Sequence, residues 1–289
     1  MQPSPTHGVA KTTSGARPTC LLVASGKGGV GTSSVAALAA LSAAERGERV
    51  LLVDASESSG TLHHLFGVRP TNSLWMLADS RVHPETVLVD AGDNLTLVAG
   101  GTSGDNGNAE LPRSDHERRT ALTRLAHLYA QYSLIVFDGG SRLDTVAALC
   151  ELVDPAVLLV TSADRLALAA NYALVKSVYA RRPNAIVSVL SNRHGEAVAD
   201  EACEYLVGAC THFLKREIDI AGALPDDPCL QAAIGAGMSV RDAFHGSPAA
   251  EAIRAVMSRF IPSWPAAPGG APAALNSNSS FSSPSRRWS

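Results

Sequence analysis

Short apolar runs alternate along this chain with longer segments that suit helices. Seven runs rich in Val, Ile and Leu are strand-sized: 20–24, 50–53, 95–98, 134–137, 156–160, 186–190 and 218–221. Six longer segments have the composition of helices: 33–46, 115–131, 143–152, 166–180, 198–214 and 248–260. Because the short runs are largely continuous rather than alternating, we expect strands covered on both faces. The order predicts an α/β fold with a mostly parallel sheet and helices on both faces.

The two ends of the chain differ in composition from this alternating region. Residues 1–18 lack periodicity, and residues 265–289 are rich in Ala, Pro, Gly and Ser. Such segments bury too little apolar surface to offset the entropy of ordering them. We therefore expect disordered tails at 1–18 and 265–289, one folded domain over 19–264, and a long loop at 100–112.

Charge and cysteine content narrow the functional classes. The 289 residues hold 24 Lys and Arg against 27 Asp and Glu, a net charge of -3, so general nucleic-acid binding is not expected. Five cysteines with no C-x-x-C pair fit a reducing compartment better than a disulfide framework. Apolar runs stay far below the roughly 18 residues of a membrane span. We expect a soluble, cytoplasmic protein that does not bind membranes.

The most specific feature is the glycine-rich segment S-G-K-G-G-V-G-T-S-S, residues 25–34. It follows the first predicted strand and opens the first predicted helix. Glycines allow backbone N–H groups to turn inward, and the helix N-terminus adds partial positive charge, so this context predicts a phosphate-binding loop. The candidate nucleotide-binding residues here are Gly26, Lys27, Gly28, Gly29, Val30, Gly31, Thr32, Ser33 and Ser34.

The loop departs from the pattern G-x-x-x-x-G-K-[ST] at one position. Gly26, Gly31 and Ser33 match, but Thr32 stands where the pattern has lysine. Ser33 can still offer a hydroxyl to Mg²⁺, and Lys27 is the only cation inside the loop. Nucleotide can bind through backbone amides, but more weakly than with an intact lysine.

The run SGKGGVG, the alanine-rich segment after it and RGERVLLVDA resemble the deviant Walker A ATPases of the MinD/ParA family. The later blocks YSLIVFDGG, TSADRLALAANYALVKSVYAR and GALPDD are similar to the flagellar-number regulators of the FlhG (FleN) branch. The resemblance covers about residues 19–261. It implies a P-loop NTPase domain that binds ATP or ADP with Mg²⁺, and a role for Lys27 in reaching the nucleotide of a partner subunit.

The resemblance also assigns roles to three acidic or polar positions. It implies that Asp54 is the first aspartate of an Asp-x-Asp segment, and that Ser56 replaces the second, which helps to position the attacking water. It implies that Asp138 holds Mg²⁺ through water, together with Ser33. The candidate catalytic residues are therefore Lys27, Asp54 and Asp138.

The resemblance places adenine recognition after the predicted strand at 186–190. It implies that Asn192 and Arg193 contact the base and that Pro225 completes the pocket. These residues complete the set of candidate cofactor-binding positions.

The sequence predicts an adenine-nucleotide-binding regulator that switches by nucleotide-dependent homodimerisation, with weak or absent hydrolysis. Phosphoryl transfer needs both neutralised charge and an oriented water, and Thr32 and Ser56 impair both. The partners implied by the resemblance are a flagellar SRP-type GTPase (FlhF-like) or a transcription regulator. Two alternatives stay open: a CpaE/TadZ-like pilus or secretion localisation factor, whose loop often lacks the second lysine, and a nucleotide-independent interaction scaffold. Iron–sulfur carriers share the loop but need paired cysteines, which this sequence lacks.

Overall fold

The computed structural model describes residues 18–57, 60–101, 114–193 and 196–260. Nearly all of both predicted tails, and most of the predicted loop at 100–112, lie outside these described residues. The division into one domain and two tails therefore stays a prediction.

Eight strands form one sheet in the described part of the chain. In chain order they are β1 (Thr19–Ala24), β2 (Val50–Asp54), β3 (Leu88–Gly92), β4 (Leu95–Val98), β5 (Leu134–Gly140), β6 (Ala156–Thr161), β7 (Val187–Asn192) and β8 (Asp219–Leu224). Their order across the sheet is β3-β4-β2-β5-β1-β6-β7-β8. All neighbours run parallel except β3 and β4, which are antiparallel.

Helices cover both faces of this sheet. They are α1 (Thr32–Glu45), α2 (Leu62–Phe66), α3 (Asp115–Leu125), α4 (Leu143–Val153), α5 (Arg165–Arg181), α6 (Glu196–Ala209), α7 (Pro228–Gly235), α8 (Val240–Phe244) and α9 (Pro248–Met257). One buried apolar cluster joins the sheet to α1, α8 and α9, and a second joins it to α3–α6. The predicted α/β fold, with a mostly parallel sheet and helices on both faces, is confirmed.

The differences from the predicted elements are local. All seven predicted strands are present, and β3 is an additional edge strand. The predicted helix over 115–131 divides into α3 and a 3₁₀ segment, Ala126–Gln131, and the helix predicted over 198–214 ends in a π-helical turn, Cys210–Leu214. The short helices α7 and α8 were not predicted.

The last described helix packs on the body of the protein. The apolar face of α9, formed by Ile253, Val256 and Met257, is buried against α1 and β8. Among the described residues, no helix combines the length and apolarity that crossing a bilayer requires.

The sheet topology places three polar strand ends together. Parallel strands direct their carboxyl ends to one edge of the sheet, where α/β proteins bind their ligands. The central strand β1 pairs with β5, and β5 pairs with β2, so the loops that follow these three strands are neighbours.

Candidate functional site

The glycine-rich loop runs from the end of β1 to the start of α1 and needs glycine at two positions. Gly29 has φ +82° and Gly31 has φ +92°, in the left-handed region that L side chains rarely adopt. A Cβ on Gly31 would also lie 2.3 Å from Nδ2 of Asn192. This backbone leaves the amides at the start of α1 available to a ligand, as anion binding at a helix N-terminus requires.

The start of the loop is braced by α5. The backbone N–H of Gly26 donates to Oδ1 of Asn171 at 2.6 Å, and Nδ2 of Asn171 donates to the Val160 carbonyl at 3.0 Å. A Cβ on Gly26 would lie 2.2 Å from the carbonyl carbon of Ala170, which is fixed helix backbone. Asn171 is fully buried. It therefore acts as a positioning residue that the sequence analysis missed.

The predicted adenine-recognition residues lie beside the loop, but their present partners are protein groups. Nδ2 of the buried Asn192 donates to the Val30 carbonyl at 2.8 Å, so this side chain holds the phosphate loop. Arg193 is exposed, and its Nη2 donates to Oε1 of Gln231 at 2.5 Å. Pro225 is half-buried just after β8. The adenine role of these residues stays a prediction.

Positions 27 and 32, where P-loop sequences of this kind have lysine, contribute no free positive charge to the site. The Thr32 hydroxyl donates to Oγ of Ser25 at 2.9 Å and is buried. The Lys27 ammonium forms an ion pair with Asp164, the residue that caps the N-terminus of α5. Both side chains of that pair are about 40% exposed, at 41% and 39%.

A cavity of about 330 Å³ lies over the loop. Its described walls come from the glycine loop, from the segment after β2 and from the segment after β5. The lining residues are Ser25, Gly28, Gly29, Gly31, Thr32, Ser33, Ser34, Ser56, Glu57, Thr61, Gly139, Gly140, Ser141 and Arg142. Lys27 is described by the structure but is not one of the residues that line this cavity.

Asp54 and Asp138 are neighbours in the sheet register and are both fully buried. Burial, reinforced by the nearby Asp138 carboxylate, raises the pKa of Asp54 from 3.8 to about 8, although three backbone N–H groups lower it. Burial also raises the pKa of Asp138, while the Ser33 hydroxyl and the Gly140 N–H lower it. Two adjacent buried carboxylates therefore resist being ionised together.

The two aspartates have different contacts. Oδ1 of Asp54 accepts the Ser56 N–H at 3.1 Å, and its Oδ2 accepts the N–H groups of Thr61 and Leu62 at 2.9 and 3.2 Å. These contacts fix the segment after β2 and the start of α2. They favour a positioning role for Asp54 over direct contact with a nucleotide.

Asp138 keeps one oxygen available. Its Oδ1 accepts the Gly140 N–H at 3.1 Å, whereas its Oδ2 is buried and makes no hydrogen bond of normal geometry with the described residues. An unsatisfied buried carboxylate oxygen beside a serine hydroxyl suits a hydrated Mg²⁺, which prefers oxygen ligands and keeps several waters. The donor set of Ser33 and Asp138 therefore fits the predicted metal.

A buried ion-pair network adjoins the cavity and was not predicted. Glu57 accepts hydrogen bonds from Nε of Arg118 at 2.6 Å and from Nη2 of Arg118 at 3.3 Å, and a further one from the Thr145 hydroxyl. The side chains of Glu57 and Arg118 are 2% and 4% exposed. Nε of Arg142 lies 3.6 Å from Oε2 of Glu57. The network joins the segment after β2 to α3 and α4.

The raised pKa of Asp54 gives a testable pH dependence. Because the native protein binds more protons than the unfolded chain between about pH 4 and pH 8, the free energy of unfolding in metal-free buffer should fall as pH rises through that window. The substitution Asp138→Asn removes one charge of the pair. It should flatten this dependence and make the variant more stable than the unmodified protein near pH 8.

Urea unfolding across this pH range measures the effect. Asp90→Asn is the matched control, since Asp90 is exposed and its Oδ1 accepts the Gly92 N–H, a contact that asparagine keeps. Equal pH slopes for the unmodified protein and Asp138→Asn would contradict the electrostatic coupling of the two aspartates.

Known protein sequences resemble this chain over segments that contain the glycine loop. Residues 18–98 match the ParA family, described as NUBPL iron-transfer P-loop NTPase. That segment contains the glycine loop and Asp54, and its one cysteine is Cys20, whose pKa is raised by burial to about 11. The antiactivator FleN of Pseudomonas aeruginosa is 26% identical over 247 residues, which cover 85% of this chain and 86% of FleN.

Solved structures share the fold. The septum site-determining protein MinD of Pyrococcus horikoshii, complexed with Mg-ADP, matches with a TM-score of 0.66 and 21% identity over 84% of this chain and 95% of MinD. A ParA family ATPase of Chlorobium tepidum matches with a TM-score of 0.66 and 20% identity over 82% of this chain and 96% of that protein.

The loop between the central strand and the first helix, in a mostly parallel sheet, defines the fold of a P-loop NTPase. Within that class the chain is similar to the ParA family over residues 18–98 and to FleN along most of its length.

Proposed function

We propose that this chain is an adenine-nucleotide-binding regulator that switches by nucleotide-dependent dimerisation and hydrolyses ATP slowly or not at all. The observation that carries the proposal is the cavity over the glycine loop. Its walls contain the backbone cradle of the glycine loop and Ser33, and Gly139, which also lines it, directly follows Asp138, whose buried Oδ2 is unsatisfied, while Thr32 supplies no charge. This arrangement favours binding over turnover.

Each part of the site has a distinct role in this proposal. The amides of 28–31 bind phosphate oxygens, because a glycine loop at a helix N-terminus presents N–H groups and partial positive charge. Ser33 and Asp138 hold Mg²⁺, which neutralises phosphate charge when it is bound. Asp54 fixes the segment that carries Ser56.

Lys27 is the proposed contact between subunits. Its ammonium is half-exposed and paired with Asp164, so the ion pair has to exchange for the partner's phosphates when a dimer forms. A surface ion pair contributes little, about 0–1 kcal/mol, so this exchange costs little.

The cellular role proposed for this switch is control of flagellar placement or number, supported by the similarity to the antiactivator FleN. An SRP-type GTPase of the FlhF kind or a transcription regulator is the corresponding partner. The lysine missing from position 32 favours a second candidate, a CpaE/TadZ-like localisation factor, which would have the same nucleotide site.

The proposal predicts that ATP with Mg²⁺, but not ADP, promotes a dimer. Calorimetry should detect binding of both nucleotides, and light scattering should detect a dimer with ATP alone, since the Lys27 contact depends on the partner's phosphates. The variant Lys27→Ala should bind ATP yet stay monomeric.

Two variants serve as controls for this experiment. Lys176→Ala removes an exposed lysine of α5 and should dimerise like the unmodified protein. Asp164→Asn releases Lys27 from its ion pair and should dimerise at least as well. A folded protein that gives no binding heat with either nucleotide would refute the proposed function and favour a nucleotide-independent scaffold. Binding with the same mass in both nucleotides would refute the switch.

A further inference from the structure

Neither Thr32 nor Lys27 supplies a free positive charge to balance a nucleotide bound in the cavity. A nucleotide triphosphate carries several negative charges, and P-loop proteins compensate them with a cation as well as with amides. Here the Thr32 hydroxyl is committed to Ser25, and the Lys27 ammonium is paired with Asp164. A positive charge that faces the phosphates within the same subunit has to come from elsewhere.

Arg142 lines the cavity together with the glycine loop. It directly follows Ser141 after β5 and is the residue that precedes α4. Among the described residues that line the cavity, Arg142 is the sole Lys or Arg. A Cβ built on Gly28 would lie 3.7 Å from Oγ of Ser141, so the segment carrying Arg142 borders the phosphate loop directly.

The guanidinium of Arg142 retains unused hydrogen-bonding capacity. Its Nε is buried and makes no hydrogen bond with the described residues, and its side chain is 38% exposed. The nearest carboxylate is Oε2 of Glu57 at 3.6 Å, beyond hydrogen-bonding distance. Glu57 is already neutralised by two hydrogen bonds from Arg118. Glu57 therefore has a buried cationic partner other than Arg142, and the Arg142 guanidinium is not required to pair with it.

We propose that Arg142 replaces the missing loop lysine and binds the terminal phosphates of the nucleotide. This inference rests on the proposed nucleotide-binding function. The planar guanidinium binds phosphate oxygens in a bidentate manner, which a threonine hydroxyl cannot do. Binding would draw Arg142 away from Glu57, while Arg118 keeps the buried carboxylate paired.

The variant Arg142→Gln should lose about tenfold to a hundredfold in ATP affinity, the range expected for hydrogen bonds to a charged group. The loss should be smaller for ADP and smallest for AMP, because the contact is to the terminal phosphates. Calorimetry in the presence of Mg²⁺ measures each affinity. Arg142→Lys should retain only part of the ATP affinity, because lysine keeps the charge but not the bidentate geometry. Arg165→Gln, which changes an exposed arginine at the start of α5, should retain all of it.

A complementation experiment separates phosphate binding from a merely structural role. Thr32→Lys added to Arg142→Gln should restore ATP affinity, because it returns a cation to the cavity from the glycine loop. The gain from Thr32→Lys should be larger in the Arg142→Gln background than in the unmodified protein, whereas a role of Arg142 only in positioning Glu57 would give the same gain in both. On the unmodified protein, ATP should protect Arg142 from phenylglyoxal more than it protects Arg165, a result that does not depend on a variant folding.

The outcomes separate this inference from the proposed function. ATP binding that is unchanged in folded Arg142→Gln, or absence of protection of Arg142 by bound ATP, would overturn the inference alone. A folded, unmodified protein that binds no nucleotide would overturn the proposed function and the inference together.

Discussion

Replacing Glu57 with alanine should lower the free energy of unfolding by about 3–5 kcal/mol, the loss expected when one member of a buried ion pair is removed. In this variant the Arg118 guanidinium, whose side chain is 4% exposed, would lose its main partner and border the empty space left by the Glu57 side chain. Its other carboxylates are Asp115 at 2.7 Å and Asp144 at 4.0 Å, and both are largely exposed to solvent. They cannot replace the buried contact.

Urea unfolding compared with two further variants tests this expectation. Glu151→Ala removes a carboxylate from the exposed side of the same pair of helices, and it should cost about 1 kcal/mol or less. The double variant Glu57→Leu with Arg118→Met should lose less than the sum of its single variants, because no uncompensated charge remains buried. A loss below about 1 kcal/mol for Glu57→Ala would contradict a structural role for the network.

The apolar pattern was sufficient to predict the strands that lie inside the sheet. Strands covered on both faces need continuous apolar residues, and β2, β5 and β6 have them. The edge strand β3 was missed because its sequence, L-V-D-A-G, includes the exposed Asp90 and is only partly buried. It pairs antiparallel with β4 across a tight turn that contains Asn94 at φ +59°. An edge strand needs no two-sided cover and leaves a weak signal.

The glycine loop and the two aspartates were predicted because each signal is local. A loop between a strand and a helix, or an acidic residue at a strand end, is visible within ten residues of sequence. The pairs Lys27–Asp164, Gly26–Asn171 and Glu57–Arg118 join residues separated by 137, 145 and 61 positions. No short pattern contains both members of such a pair. Only the folded sheet brings them together.

The segment 54–57 contributes both to the stability of the fold and to the lining of the candidate nucleotide site. Asp54 fixes its backbone, Ser56 lines the cavity, and Glu57 connects it to α3 and α4. A carboxylate introduced at position 56 would be added to three acidic groups already nearby: Asp54, Asp138 and Glu57. Restoring a carboxylate there without adding a cation would oppose nucleotide binding.

The unmodified protein should hydrolyse ATP far more slowly than a MinD/ParA relative with an intact loop. Loss of one electrostatic donor to a developing charge costs about 10²–10³ in rate, and this chain lacks both the lysine at Thr32 and the carboxylate at Ser56. Arg142 can compensate phosphate charge in the bound state, but it cannot orient the attacking water. We therefore expect binding without appreciable turnover.

The double variant Thr32→Lys with Ser56→Asp tests this expectation against its two single variants. Both changes act on one transition state, so their effects need not add. Ser56→Asp alone should gain little, since it adds negative charge without a cation, and Thr32→Lys alone should tighten ATP binding without orienting water. The double variant should gain about 10²–10³ in single-turnover rate over the unmodified protein. Brisk hydrolysis by the unmodified protein would refute the expectation, and a double variant that binds ATP but stays inactive would show that positions other than 32 and 56 also limit catalysis.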